Sequence, residues 1–156
     1  DIRDIRSHFP RQIAARMVPT LYKDRGYNLS RHDLNALYNA ADIYVSSSAE
    51  GFGLTIAEAL AAGVPAVGIN YSAVPEVIGP AGLVVPVEII DNPYAHFWAR
   101  PVETAFGEAV SRLLDDDRER ALMGARGPHH VAVNFQWAQA AQQFADLLSA
   151  KVAVAA

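Results

Sequence analysis

The chain contains no cysteine, so disulfides and thiolate metal sites are excluded. It also lacks an excess of positive charge. Thirteen Lys and Arg against 17 Asp and Glu leave a formal net charge of -4, which argues against a nucleic-acid partner. Long hydrophobic runs are missing too. The most apolar stretch, Leu54 to Ile69, is interrupted by Glu58, Gly63, Pro65 and Gly68 and is too short to span a bilayer. Peripheral contact with a membrane surface remains compatible with this. The opening Asp1 to Arg6 alternates acids and bases with isoleucine and has no apolar core of a signal peptide, so a cytoplasmic location is the expectation. No His-Glu-x-x-His pattern occurs, and the adjacent His129 and His130 would point different ways from a helix. They are read as surface or packing histidines, and no metal site is expected. Neither an internal repeat nor a low-complexity tract is present.

What is there is the composition of a folded protein: 51% of the residues are apolar and 19% charged, unlike a disordered chain. The 156 residues suffice for one domain with a core. The chain opens on Asp1, not Met, and Ile5, Phe9, Ile13 and Met17 recur at a helical period with Pro10 as an irregularity. A fragment of a longer protein, lacking an N-terminal domain, is expected.

Strand and helix signals then alternate. Val18 to Tyr22 reads as a strand, Arg31 to Ala41 as a helix with Leu34, Leu37, Tyr38 and Ala41 on one face, and Asp42 to Ser46 as a buried strand. A loop follows to Gly53, then a helix from Leu54 to Ala62 stopped by Gly63, a strand from Pro65 to Ile69, a short turn or helix from Pro75 to Ile78, and a last strand from Gly82 to Val87. Short apolar strands alternating with helices predict an α/β fold with a Rossmann-like parallel sheet and helices on both faces. Residues 102–150 read as a helical C-terminal part of the same single domain. Helices are expected over Val102 to Leu114, Arg118 to Gly124 and Gln136 to Leu148, the last with Trp137, Ala141, Phe144, Ala145 and Leu148 as an apolar stripe.

The segment that carries chemistry is Ser46 to Gly68, a strand, a glycine-rich loop and a helix. In open α/β sheets, ligands bind where strand ends meet helix N-termini. The backbone N–H groups of Phe52, Gly53, Leu54 and Thr55 would face outward and suit phosphate oxygens. Gly51 and Gly53 allow close approach and unusual dihedrals. Glu50 precedes this loop and Glu58 follows one turn into the helix, among apolar neighbours where a carboxylate needs a partner. A vicinal diol would serve.

These residues carry a resemblance. Glu50-Gly-Phe-Gly-Leu-Thr-Ile-Ala-Glu58 is similar to the Glu-x7-Glu signature of the retaining group 1 glycosyltransferases. Ala59-Leu-Ala-Ala-Gly63-Val-Pro65, Pro75-Glu76-Val77 and Gly82-Leu-Val-Val85 continue the match, and Leu37-Tyr-Asn-Ala-Ala-Asp42-Ile-Tyr-Val-Ser46 resembles the segment before the signature. The resemblance implies a partial C-terminal domain of a GT-B fold, whose two Rossmann-like domains face a cleft. It implies that Glu50, the catalytic candidate, holds donor-sugar hydroxyls. Gly51 to Thr55 would line the donor site, with N–H groups from Phe52 onward on the diphosphate or sugar. Glu58 would bind the ribose hydroxyls. The partners would be a UDP- or GDP-linked sugar and a hydroxyl acceptor. No cofactor and no metal is implied, because helix ends and basic side chains neutralise the diphosphate and a leaving-phosphate oxygen accepts the acceptor's proton.

Two departures stand out. The basic pair that grips the diphosphate would lie upstream of Asp1, and the strand near the nucleobase is here Val18-Pro-Thr-Leu-Tyr22 followed by Lys23-Asp-Arg-Gly-Tyr27, which leaves base identity open. The alternatives are a non-catalytic nucleotide-sugar-binding module and an epimerase-like protein, which shares the fold but not the motif. Outside the signature, Glu76 is expected to cap the turn after Ser72, Asp42 to mark a helix-to-strand turn, Asp115 to Asp117 to form a solvated helix junction, and Trp98 and Trp137 to anchor packing.

Overall fold

The structure is a computed structural model that describes residues 9–16, 29–90 and 98–154. The strand expected at Val18 to Tyr22, and Ile5 and Met17 of the expected opening helix, lie outside the described residues. The chain divides into two units, Asp1–Leu34 and Asn35–Ala156.

In the first unit, α1 is the single turn Arg11–Ala14. Pro10 starts this turn. It is the N-cap, in extended conformation, and its carbonyl accepts from the Ile13 and Ala14 N–H groups at 2.8 and 2.9 Å. Proline suits a helix start because the N–H it lacks would have no intrahelical acceptor there. Helix α2, Arg31–Asn39, begins in this unit and ends in the second. Ser30 opens it: its hydroxyl accepts from the Asp33 N–H at 3.1 Å and donates to the Asp33 carboxylate at 2.7 Å, a reciprocal cap.

The second unit holds a parallel sheet of β1 (Tyr44–Ser46), β2 (Ala66–Ile69) and β3 (Gly82–Val85), in that spatial order. All four β2 residues are buried, as a central strand covered on both faces must be. Strand β1 differs from the buried strand expected. Only Ser46 is buried and Val45 is 51% exposed, because among the described residues β1 is an edge with one neighbour. The last expected strand splits at Pro86. Beyond it, β4 (Val87–Ile90) pairs antiparallel with β5 (Trp98–Pro101), a ribbon closed by a 2.7 Å ion pair between Glu88 and Arg100.

Helix α3, Leu54–Ala61, buries Ile56, Ala57, Ala59 and Leu60 and exposes Leu54 and Glu58. It ends as its sequence demands. Gly63 adopts φ 80°, its N–H donates to the Leu60 carbonyl, and the Val64 N–H donates to the Ala59 carbonyl, both at 3.0 Å. This is the Schellman arrangement that closes helices at glycine. Helix α4, Val74–Ile78, follows β2 with proline in its first turn. Val74 and Ile78 press so closely on β2 that a Cβ on Gly68 would sit 2.6 Å from each.

Helix α5, Glu103–Asp115, contributes the fully buried Leu113 to the core formed with Ile56, Leu60, Val67, Ile69 and Ile78. Each such side chain contributes about 1.5–3 kcal/mol by burial. Asp116 ends α5 and starts α6, Asp117–Asn134, where its carboxylate accepts from the Glu119 N–H at 2.8 Å. The expected solvated junction is thus also a cap. Glu119 pairs back to the Arg112 guanidinium through two hydrogen bonds, which raises the arginine further above its ordinary range.

The sequence signals predict a helix ending at Gly124, but α6 runs ten residues further, through Pro128. Gly124 and Gly127 do not end it; they dock it. A Cβ on either would lie 2.3 Å from a backbone carbonyl oxygen, of Gly63 or of Leu60. Helix α7, Trp137–Val154, carries the predicted stripe, but Trp137, Phe144 and Leu148 are 88%, 65% and 53% exposed. Trp137 is therefore not a packing anchor among the described residues. The side chain of Trp98 lies outside the described ones.

Candidate functional site

The site grows from the carboxyl ends of β1 and β2. Beyond Ser46 the chain loops to Gly53, which sits at φ 94°, ψ 54° as the N-cap of α3. This left-handed conformation favours glycine, and a Cβ there would be 3.1 Å from Ile56 Cδ1. With no side chain, Gly53 caps nothing. The first-turn N–H groups of α3 have no intrahelical acceptor and present the positive end of the helix dipole. Gly51 has open space where its Cβ would be.

Glu50 is half-buried in this loop. Its carboxylate accepts from the Ser48 hydroxyl at 3.1 Å. Its carbonyl accepts from the Ser72 hydroxyl at 2.8 Å and the Ala73 N–H at 3.4 Å. Ser72 is a non-glycine residue with positive φ, 57°. The loop after β2 therefore holds the loop after β1 in place.

Two tyrosines brace successive turns of α3. The Tyr44 hydroxyl, from β1, donates to Thr55 Oγ1 at 2.8 Å. The Tyr38 hydroxyl, from α2, donates to Glu58 Oε2 at 2.9 Å. The two rings lie 6.4 Å apart, tilted by 52°. Partial burial first, and the Glu58 carboxylate second, push the Tyr38 hydroxyl well above the ordinary tyrosine range. The exposed Glu58 thus meets its partner in a phenol, whose spacing in the sequence puts it on an apolar helix face. The signal was a tyrosine in the helix preceding the motif, but only the fold brings positions 20 apart together.

A cleft of about 900 Å³ opens beside α3, and Phe52, Leu54, Glu58, Glu76, Phe135 and Trp137 are among its lining residues. Phe52 meets Phe135 edge-on at 5.3 Å, and Phe135 meets His130 edge-on at 5.4 Å. His130 is a packing residue, as expected. Its Nε2 lies 3.1 Å from the Val77 carbonyl and its Nδ1 3.0 Å from the Asn134 amide, an arrangement in which Nε2–H donates and Nδ1 accepts. Glu76 forms no cap bond in α4 and instead faces this cleft. Phe52, Leu54 and Glu58 share the cleft lining, whereas Glu50, Gly51, Gly53 and Thr55 do not contribute to it. Among the described residues no Lys or Arg lines it. Among the described residues no three His, Asp or Glu side chains gather as metal ligands, and no helix is long and apolar enough to cross a membrane.

Comparison with known proteins bears on this geometry. The family described as glycosyl transferases group 1 matches residues 26–130. A D-inositol 3-phosphate glycosyltransferase of Corynebacterium glutamicum is 36% identical over 124 residues, which cover 78% of this chain and 26% of that protein. The O-antigen chain mannosyltransferase B of Escherichia coli is 40% identical over 106 residues, covering 67% and 24%. Among solved structures, sucrose-phosphate synthase from Thermosynechococcus elongatus superposes with a TM-score of 0.61 at 27% identity, over 81% of this chain and 29% of that one. A Rickettsia africae glycosyltransferase, at a TM-score of 0.55 and 20% identity over 74% and 28% of the two chains, shares the fold. The chain spans about a quarter of the length of these curated relatives. A parallel βα sheet, a helix that starts at a left-handed glycine beyond the β1 loop and a family match over two thirds of the residues agree: this chain belongs to the group 1 glycosyltransferases.

Proposed function

We propose that the chain is the nucleotide-sugar-binding half of a retaining glycosyltransferase that moves a hexose from a UDP- or GDP-linked donor to a hydroxyl. The observation that supports this best is the uncapped start of α3 behind the left-handed Gly53, with Phe52, Leu54 and Glu58 on one cleft. In this reading the N–H groups of Phe52 to Thr55 take the diphosphate and stabilise the charge that develops as it leaves. Glu50, fixed through its carbonyl by Ser72, holds the sugar hydroxyls as the catalytic candidate. Glu58 accepts from the ribose.

Among the described residues the cleft lining offers two carboxylates and no Lys or Arg, so in this reading the basic groups that balance a diphosphate come from elsewhere, in place of a metal. The names of the relatives support a hexose. Two are mannosyltransferases, and the one from Mycolicibacterium hassiacum is named for an α-(1→4) linkage, the outcome of retention from an α-linked donor.

The test is transfer from UDP- and GDP-hexoses by the full-length protein, with the product anomer read by NMR. A retained anomer, formed equally well with a chelator present, supports the reading. An inverted anomer, or activity abolished by chelator and restored by Mg²⁺ or Mn²⁺, refutes it. The isolated 156 residues are expected to bind nucleotide weakly and to turn over none, since positioning both substrates supplies several kcal/mol of the barrier, of order 7–11 in favourable cases.

A further inference from the structure

We infer that Tyr38 is a positioning residue for the donor: its hydroxyl holds the Glu58 carboxylate in the orientation that receives the nucleotide's ribose. The inference rests on the donor-site reading above and adds to it a residue from a different element. Glu58 is exposed on α3, and a free glutamate there would sample several rotamers, each turning the carboxylate a different way. The 2.9 Å bond from Tyr38 to Oε2 selects one.

The phenol is itself held. It is half-buried, on α2, and its ring packs at a tilt against Tyr44, whose own hydroxyl is anchored on Thr55 one turn earlier on α3. Two rigid side chains from α2 and β1 thus grip Thr55 and Glu58, three residues apart and on one helix face. A carboxylate oxygen accepts about two hydrogen bonds. Tyr38 takes one position on Oε2 and leaves Oε1, with the second position on Oε2, for a vicinal diol. A phenol fits this task better than a cation would. It orients the carboxylate without neutralising it, so the full charge remains to strengthen bonds from the ribose hydroxyls.

The experiment measures binding of UDP and GDP, and of their 3′-deoxy counterparts, to the wild type, Tyr38→Phe, Glu58→Gln and the double variant, by ligand-observed NMR or calorimetry, with thermal melting as the check on folding. The expected readout is the preference for ribose over 3′-deoxyribose. Wild type shows a preference of about tenfold or more, as a charge-assisted hydrogen bond supplies. Glu58→Gln removes most of it. Tyr38→Phe reduces it about fivefold and changes nothing further in the Glu58→Gln background. Loss of the preference in Glu58→Gln but not in Tyr38→Phe overturns the role of Tyr38 alone. So does an equal weakening of both ligands by Tyr38→Phe, which a merely structural contact would produce. Retention of the preference in Glu58→Gln, or no binding of either nucleotide by wild type, overturns the ribose reading of Glu58 and this inference with it.

Discussion

Helices α3 and α7 both carry large apolar side chains, yet the fold treats them oppositely. In α3, Ile56 and Leu60 are completely buried. In α7, Trp137, Phe144, Leu147 and Leu148 are all more than half exposed. Side-chain size does not account for this, since α7 carries the larger residues. What α3 has is partners that can come close. Gly124 and Gly127 of α6 bring a helix backbone against its last turn, and β1, β2 and α4 close on its other sides. A stripe predicts what a helix could bury, and the small residues on its neighbours decide what it does bury.

The contrast can be broken at its strongest point first. Leu60→Ala removes a fully buried core side chain and is expected to cost about 2–5 kcal/mol in chemical denaturation. A change under about 1 kcal/mol would mean that α3 is not part of the cooperative core. Gly127→Ala comes next. Its new Cβ would meet the Leu60 carbonyl oxygen at 2.3 Å, and pushing the helices apart costs about 1–3 kcal/mol, although alanine is the better helix former. A stabilised variant would show that α3 and α6 are less tightly joined than that approach implies.

Asp116→Ala removes the α6 cap and should cost about 1 kcal/mol, with Asp116→Asn retaining most of it. At the other pole, Trp137→Ala and Phe144→Ala are expected to change stability by no more than about 0.5 kcal/mol in the isolated chain. A larger loss would reveal a partner for α7. The smallest signal is spectroscopic. In a difference titration of wild type against Tyr38→Phe at 295 nm, Tyr38 should ionise above the usual tyrosine range. Because its protonated form is the favoured one in the folded chain, any stabilisation it gives is present below pH 10 and is lost as pH rises through its folded pKa. Glu58→Gln should bring the ionisation only part of the way down, since burial is the larger cause.

Much of α3 and its surroundings was legible from residue order alone. Gly63 stopped the helix, β2 and the start of β3 fell within a residue of expectation, and Gly53, though not Gly51, took one of the unusual dihedrals that glycine allows. These features are local, and local chemistry dictates them. Three others are not. Pro86 turns one predicted strand into two that pair in different sheets. Pro128 looks like a helix end but is carried through because the glycines before it dock α6 on α3, where packing outweighs propensity. Tyr38 read as an apolar-face residue because nothing in its own neighbourhood reveals a carboxylate 20 positions away. The cleft lining likewise joins α3 to residues near 135, a union of distant segments that periodicity does not encode. Glu50 and Glu58, the two ends of one motif, have different neighbours in space for the same reason: one belongs to a loop fastened by Ser72, the other to a helix face.

The glycines at the far end of α3 have a mechanical consequence. The helix is eight residues long, about 12 Å at 1.5 Å per residue, and behaves as a short stiff rod. Its last turn is seated against Gly124 and Gly127 with no slack, while its first turn starts at the left-handed Gly53. A rod seated at one end aims the other, so the direction in which the α3 amides point is calibrated a full helix length away, by residues that no ligand would touch.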